Sequence, residues 1–229
     1  MLNWWYEKSL LVGSWCIPII CSFSGWAQQQ QQPFPYWNDV QQLILADVQL
    51  PKPRHQVLFA GSSSFTMWKT SNEAFPEKTI VNVAFGGSTL LDQIRYIDYV
   101  ITPYKPRQII IYCGENDIAY DSTVTGREVR NRFVKLVELV RERFPEVHLT
   151  YVSMKPSPSR AKLMPVYREG NELIREYLKT IKHASYINVF DAMLDASGKP
   201  KTELFLGDML HMNEAGYSIW KELIRPHLK

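Results

Sequence analysis

The sequence predicts an α/β fold: a single three-layer domain, with about five parallel strands and helices on both faces of the sheet. Three observations predict it. Short runs, nearly continuous in apolar residues, recur between residues 56 and 189, as strands covered on both faces require. Longer segments with apolar residues at helical spacing lie between them. Strand–helix alternation with short links is the pattern of a parallel sheet.

The elements follow in chain order. Trp37–Val48 carries Val40, Leu43, Ile44 and Val48 on one helical face, and Pro51 to Arg54 ends that helix. The strand candidates are Gln56–Ala60, Thr79–Val83, Gln108–Cys113, His148–Val152 and Tyr186–Val189. Helical patterns fall at Leu90–Ile101, Thr125–Phe144, Met164–Ile181 and Asn213–Leu228. Thr125–Phe144 is the clearest, with Val129, Phe133, Leu136, Val137 and Val140 on one face and charges opposite. No repeat or second composition regime appears, so residues 37–229 read as one domain.

The N-terminus reads differently. Residues 9–23, SLLVGSWCIPIICSF, form an apolar run preceded by Lys8, and small residues follow at Gly25 and Ala27. That is the pattern of a signal peptide cleaved after Ala27. The run is shorter than the ~20 apolar residues of a bilayer span, and Pro18 interrupts it. An uncleaved anchor is the alternative. Residues 1–27 therefore predict a secreted or periplasmic protein with no stable membrane span after processing. Residues 28–36, rich in Gln and Pro, read as a linker.

The net charge of the 229-residue chain is +3, with no Lys/Arg-rich patch, which argues against a nucleic-acid partner. Of three cysteines, Cys16 and Cys21 precede the cleavage site. Cys113 is left alone, without an internal disulfide, and reads as a small buried hydrophobe.

Ligand sites in parallel sheets lie beyond the carboxyl ends of the strands. The chemically suggestive residues stand there. Gly61-Ser62-Ser63-Ser64 follows the first strand, Phe85-Gly86-Gly87-Ser88-Thr89 the second, and Gly114-Glu115-Asn116-Asp117 the third. Asp208-Met209-Leu210-His211 precedes the last helix. Taken singly, each also fits a turn or a helix cap. A carboxylate three residues before a histidine can hold one ring nitrogen while the other faces a nucleophile. The chain lacks the G-x-S-x-G elbow, G-x-G-x-x-G and the P-loop pattern.

Together, in this order, the motifs resemble the SGNH, or GDSL-type, hydrolase family. Its four signature residues match Ser63, Gly87, Asn116 and His211. Gly61-Ser62-Ser63 stands for the family's G-D-S, Gly114 to Asp117 for G-x-N-D, and Asp208 to His211 for D-x-x-H. Asn82 precedes Gly87 by the family's five residues. The departure is Ser62 in place of Asp. It leaves Ser62, Ser63 and Ser64 as competing hydroxyls, of which alignment to the block selects Ser63.

The resemblance implies a flavodoxin-like sheet and an esterase that uses neither cofactor nor metal. Ser63 would be the nucleophile, His211 the general base and Asp208 its orienting carboxylate. The Ser63 and Gly87 N–H groups and the Asn116 amide would form the oxyanion hole. Arg160, in the loop after the fourth strand, would bind a polar substrate group or pair with an acidic neighbour. Phe65 and Trp68 read as core, and Glu115 has no assigned role. The expected substrate is a small-molecule or glycan ester, with a short acyl group on a polar alcohol such as an O-acetylated sugar. Acyl transfer to a second alcohol and an inactive carbohydrate-binding protein are the alternatives.

Overall fold

Short runs of three to five residues pair side by side, and the inner ones bury both faces at once. In the computed structural model, which describes residues 34–48 and 56–229, the strands are β1 (Val57–Gly61), β2 (Ile80–Asn82), β3 (Gln108–Tyr112), β4 (His148–Val152) and β5 (Ala184–Ile187). They form one sheet in the order β2-β1-β3-β4-β5, parallel at every pairing. β1 and β3 are buried along their whole length. This is the flavodoxin-like order, and its direction reverses between β1 and β3, where such sheets open a crevice for ligands.

The helices are α1 (Trp37–Val48), α2 (Ser63–Thr66), α3 (Ser71–Ala74), α4 (Leu90–Arg95), α5 (Ile97–Val100), α6 (Glu115–Tyr120), α7 (Gly126–Arg143), α8 (Met164–Lys179) and α9 (Glu214–Ile224). Strand side chains alternate between two cores. Leu58, Ala60, Ile109 and Ile111 pack with residues of α1, α4, α5, α7 and α8. Val57, Phe59, Ile110 and Val152 pack with α9 and the chain around α2 and α3. The expected three-layer α/β architecture is what forms. The α7 face read from the sequence is the face it buries, and a buried Phe or Leu contributes about 1.5–3 kcal/mol.

Some boundaries differ, for physical reasons. Leu90–Ile101 is two short helices instead of one. Tyr96 leaves helical geometry at φ −102°, ψ 10°, and its hydroxyl reaches away to donate to the Pro35 carbonyl at 2.8 Å. β5 starts two residues before the expected Tyr186, because β4 pairs from Leu149 with Ala184. It also ends early: the Val189 and Phe190 N–H groups donate to Ser153 Oγ at 3.0 and 3.1 Å. α9 stops at Ile224 because Pro226 has no N–H to continue it.

The expected signal peptide at 1–27 and linker residues 28–33 lie outside the described residues. Phe34–Tyr36, read as linker, pack onto the domain, with the Arg95 guanidinium 4.8 Å above the Phe34 ring. Among the described residues no helix is long and apolar enough to cross a membrane.

Candidate active site

β1 ends at Gly61 in a conformation reserved for glycine, φ +128°. A Cβ there would stand 2.0 Å from the Tyr112 carbonyl oxygen. The chain turns tightly enough for the Ser62 N–H to take that carbonyl at 2.9 Å. Ser63 then opens α2 beyond the sheet edge. The three adjacent hydroxyls part company here. Ser62 is buried against Asn116. Ser64 Oγ is buried with no partner among the described residues. Ser63 Oγ faces His211 Nε2 at 3.2 Å.

The residues before α9 deliver the histidine. An antiparallel bridge joins Phe205 to Met212, and Met209 makes the turn with φ 55°. Asp208 Oδ1 accepts the Leu210 and His211 N–H groups, both at 2.9 Å. Its Oδ2 stands 2.6 Å from His211 Nδ1. Burial would raise the Asp208 pKa, but the backbone and ring donors from His211, with the Leu210 N–H, outweigh it and hold the carboxyl at about 2. An ionised Asp208 fixes the tautomer: Nδ1 carries the proton, and Nε2 is free to accept from the Ser63 hydroxyl.

The second and third strand ends close the other side. Gly87 has φ +79°. Its N–H and that of Ser63 donate to no other described residue. Asn116 follows Gly114, itself at φ +127°, and donates one amide hydrogen to Ser62 Oγ at 2.9 Å and one to the Ser88 carbonyl at 3.1 Å. Both donors are engaged in this state, so meeting an oxyanion means redirecting the one that Ser62 holds. Ser63, Gly87, Asn116, Asp208 and His211 are thus brought to one end of the sheet.

Several supporting residues were not legible as such. Gln93 Nε2 donates to Ser88 Oγ at 2.9 Å and to the Gly61 carbonyl at 3.2 Å, tying the glycine loop to the serine turn. Asn82 Nδ2 donates to the Phe65 carbonyl at 2.6 Å, linking the end of β2 to α2. Asp117 accepts from the Leu90 N–H and from Arg132, both at 2.9 Å, while burial raises its pKa. Asn82 and Asp117 carried a signal in the motif spacing, whereas Gln93, inside α4, carried none.

Glu115 is the centre of a buried cluster. Tyr112 donates its hydroxyl to it, Lys155 Nζ lies at 3.2 Å and Arg160 Nη1 at 3.4 Å. Burial pushes the Lys155 ammonium pKa down against the pull of Glu115. Arg160 therefore has its acidic neighbour, and 16% of its side chain remains exposed. Cys113 is buried, and burial pushes its thiol pKa well up, as suits a core residue and not a nucleophile. Phe65 and Trp68 are core.

Chemically, a hydroxyl, an imidazole and a carboxylate in line, beside two N–H groups that have no partner among the described residues, can perform acyl transfer. If Asn116 supplies a further oxyanion donor, Asn116→Ala should lower kcat on p-nitrophenyl acetate by about 100–1,000-fold, read by steady-state kinetics.

Comparison with known proteins agrees with the earlier resemblance. A family model described as the GDSL-like lipase/acylhydrolase family matches residues 59–219, which include all five site residues. No curated protein matches the chain. Similar solved structures include a candidate platelet activating factor from Streptococcus pneumonia, 23% identical, with TM-score 0.72 over 84% of this chain and 92% of that one. A candidate acylhydrolase from Bacteroides fragilis is 20% identical, with TM-score 0.73 over 83% and 96%. A GDSL-like lipase from Bacteroides thetaiotaomicron is 18% identical, with TM-score 0.69 over 82% and 96%. At these identities the likeness is one of fold. The family match, which runs from β1 into α9, carries the assignment: the chain belongs to the GDSL-like lipase/acylhydrolase family, and its activity is that of an ester hydrolase.

Proposed function

We propose that the protein cleaves carboxylic esters through an acyl-enzyme on Ser63, and that its substrate carries a short acyl group on a polar alcohol, as an O-acetylated sugar does. The observation that carries the mechanism is the line Asp208–His211–Ser63, with contacts of 2.6 and 3.2 Å. Ser63 attacks the ester carbonyl while His211 Nε2 takes its proton. The imidazolium, held by Asp208, then protonates the leaving alcohol. A water, activated by the same nitrogen, releases the acid and restores the hydroxyl. The Ser63 and Gly87 N–H groups and the Asn116 amide stabilise the two tetrahedral oxyanions.

The short-acyl reading rests on the sequence, in which no long apolar lid segment interrupts residues 37–229. Export to the periplasm or medium is proposed on the apolar run at 9–23 alone.

A panel of p-nitrophenyl esters and acetylated glycans tests the substrate. Acetyl should be turned over fastest, with activity falling as the chain lengthens. Faster cleavage of C8 or longer chains would overturn the short-acyl reading. Product analysis with added sugar acceptors separates hydrolysis from acyl transfer.

A further inference from the structure

The proposed oxyanion donor of the glycine loop is a single backbone N–H on the residue type least able to hold its own direction. Glycine tolerates many combinations of φ and ψ, so Gly87 needs external restraint. Two carbonyls of this loop are held. The Ser88 carbonyl accepts from Asn116, itself part of the site. The Gly87 carbonyl accepts from Tyr36 Oη at 2.9 Å, and Tyr36 lies 51 positions earlier, ahead of the first helix.

Independent features converge on Tyr36. Its backbone has φ 66°, a left-handed conformation that is rare for a bulky residue and persists only where its surroundings enforce it. Its ring lies 5.8 Å from that of Phe85, the residue that opens the loop. Its ring edge and hydroxyl fill the space that a Gly87 side chain would need. Burial and the adjoining Tyr120, whose hydroxyl bonds to it, push the Tyr36 pKa up, so the phenol keeps its proton and remains a donor.

The segment that brings Tyr36 here is itself fastened. Tyr96 Oη donates to the Pro35 carbonyl at 2.8 Å and lies 3.3 Å from that of Phe34. Arg95 covers the Phe34 ring, and Trp37 stacks on Tyr96 at 6.1 Å. Arg95 ends α4, the element that follows the glycine loop, and Tyr96 caps it. The segment is thus anchored to the same piece of chain that it restrains.

We propose that Tyr36 is a positioning residue for the oxyanion hole, and that Phe34–Tyr36 forms a strap which holds the Gly87–Ser88 peptide by its carbonyl, and through the Gly87 Cα restrains the preceding peptide so that the Gly87 N–H faces the tetrahedral intermediate. This rests on the serine-hydrolase reading above. The strap contributes most when charge develops on the oxygen, so its loss falls on kcat and not on ground-state binding.

The test compares the full-length wild type, Ser63→Ala, Tyr36→Phe and Tyr96→Phe on p-nitrophenyl acetate. Tyr36→Phe keeps the ring packing and removes the hydroxyl, with its bonds to the Gly87 carbonyl and to Tyr120. Its kcat should fall about tenfold or more, since small misplacements of this kind are costly. KM should stay within about twofold, and thermal melting and the pH profile should be unchanged. Tyr96→Phe, which loosens the strap from a distance, should lower kcat in the same direction by a smaller factor. Wild-type kcat in Tyr36→Phe would overturn the proposal while leaving the hydrolase reading intact. So would a raised KM at constant kcat, or a lowered melting temperature that accounts for the lost activity. Wild-type turnover no greater than that of Ser63→Ala would overturn both.

Discussion

Ser63→Ala should abolish ester hydrolysis, lowering kcat by roughly a millionfold, as loss of a serine nucleophile does in other triads. The expectation follows from the separation of three adjacent hydroxyls. Ser64 Oγ is enclosed without a partner among the described residues, and Ser62 Oγ is turned to Asn116. Neither can inherit the role, because His211 Nε2 meets Ser63 Oγ. His211→Ala should cost about as much, and the double variant little more than either alone, because nucleophile and base act as one unit. Ser64→Ala should keep near wild-type turnover. Steady-state and burst kinetics with p-nitrophenyl acetate decide the matter. Substantial activity in Ser63→Ala would remove the proposed mechanism.

Asp208→Asn should lower kcat by about ten-thousandfold while the protein folds normally. Asp208 uses both oxygens: one takes two backbone N–H groups and the other takes the ring N–H. An amide has one oxygen. If that oxygen faces the backbone donors, the amide NH2 meets the ring and forces the proton onto Nε2, where it blocks acceptance from Ser63. The depressed pKa adds a sign. Asp208 moves from an ordinary 3.8 to about 2 on folding. Its contribution to stability is complete above the ordinary value and is lost as pH falls towards about 2. Half-exposed as it is, the group contributes little in absolute terms. Wild type should therefore lose slightly more melting temperature than Asp208→Asn between pH 5 and about 2. A variant with full kcat at neutral pH would show that the carboxylate does not hold the tautomer.

What the sequence made legible has a common physical basis. Strands buried on both faces are largely apolar, so β1 and β3 stood out. Parallel strands also gather their carboxyl ends, so motifs far apart in sequence could be placed together before any coordinate was known. The motifs that hold Ser63, Gly87 and Asn116 stood out this way, and resemblance to the SGNH family singled out those residues together with Asp208 and His211. The rest depends on contacts that leave no local mark. Tyr36 ends a Gln- and Pro-rich run and reads as linker, because nothing near it announces a carbonyl 51 positions on. Glu115 looked idle because its cations, Lys155 and Arg160, lie 40 and 45 positions away. The break at Tyr96 escaped for the same reason: the apolar rhythm continues through it, while a hydroxyl bond to Pro35 decides the backbone.

The two halves of the proposed triad rest on supports of very different strength. Ser63 follows β1, an interior strand flanked by β2 and β3. Asp208 and His211 ride on a surface turn held by the Phe205–Met212 bridge, the Leu206 N–H to the His211 carbonyl at 2.7 Å, and the Ser159 N–H to the Met209 carbonyl at 3.0 Å. Turns of this kind open locally at a fraction of the free energy of global unfolding. The competent fraction of a fully folded population is therefore set by closure of residues 205–212, and bracing that turn would raise activity without adding to the stability of the core.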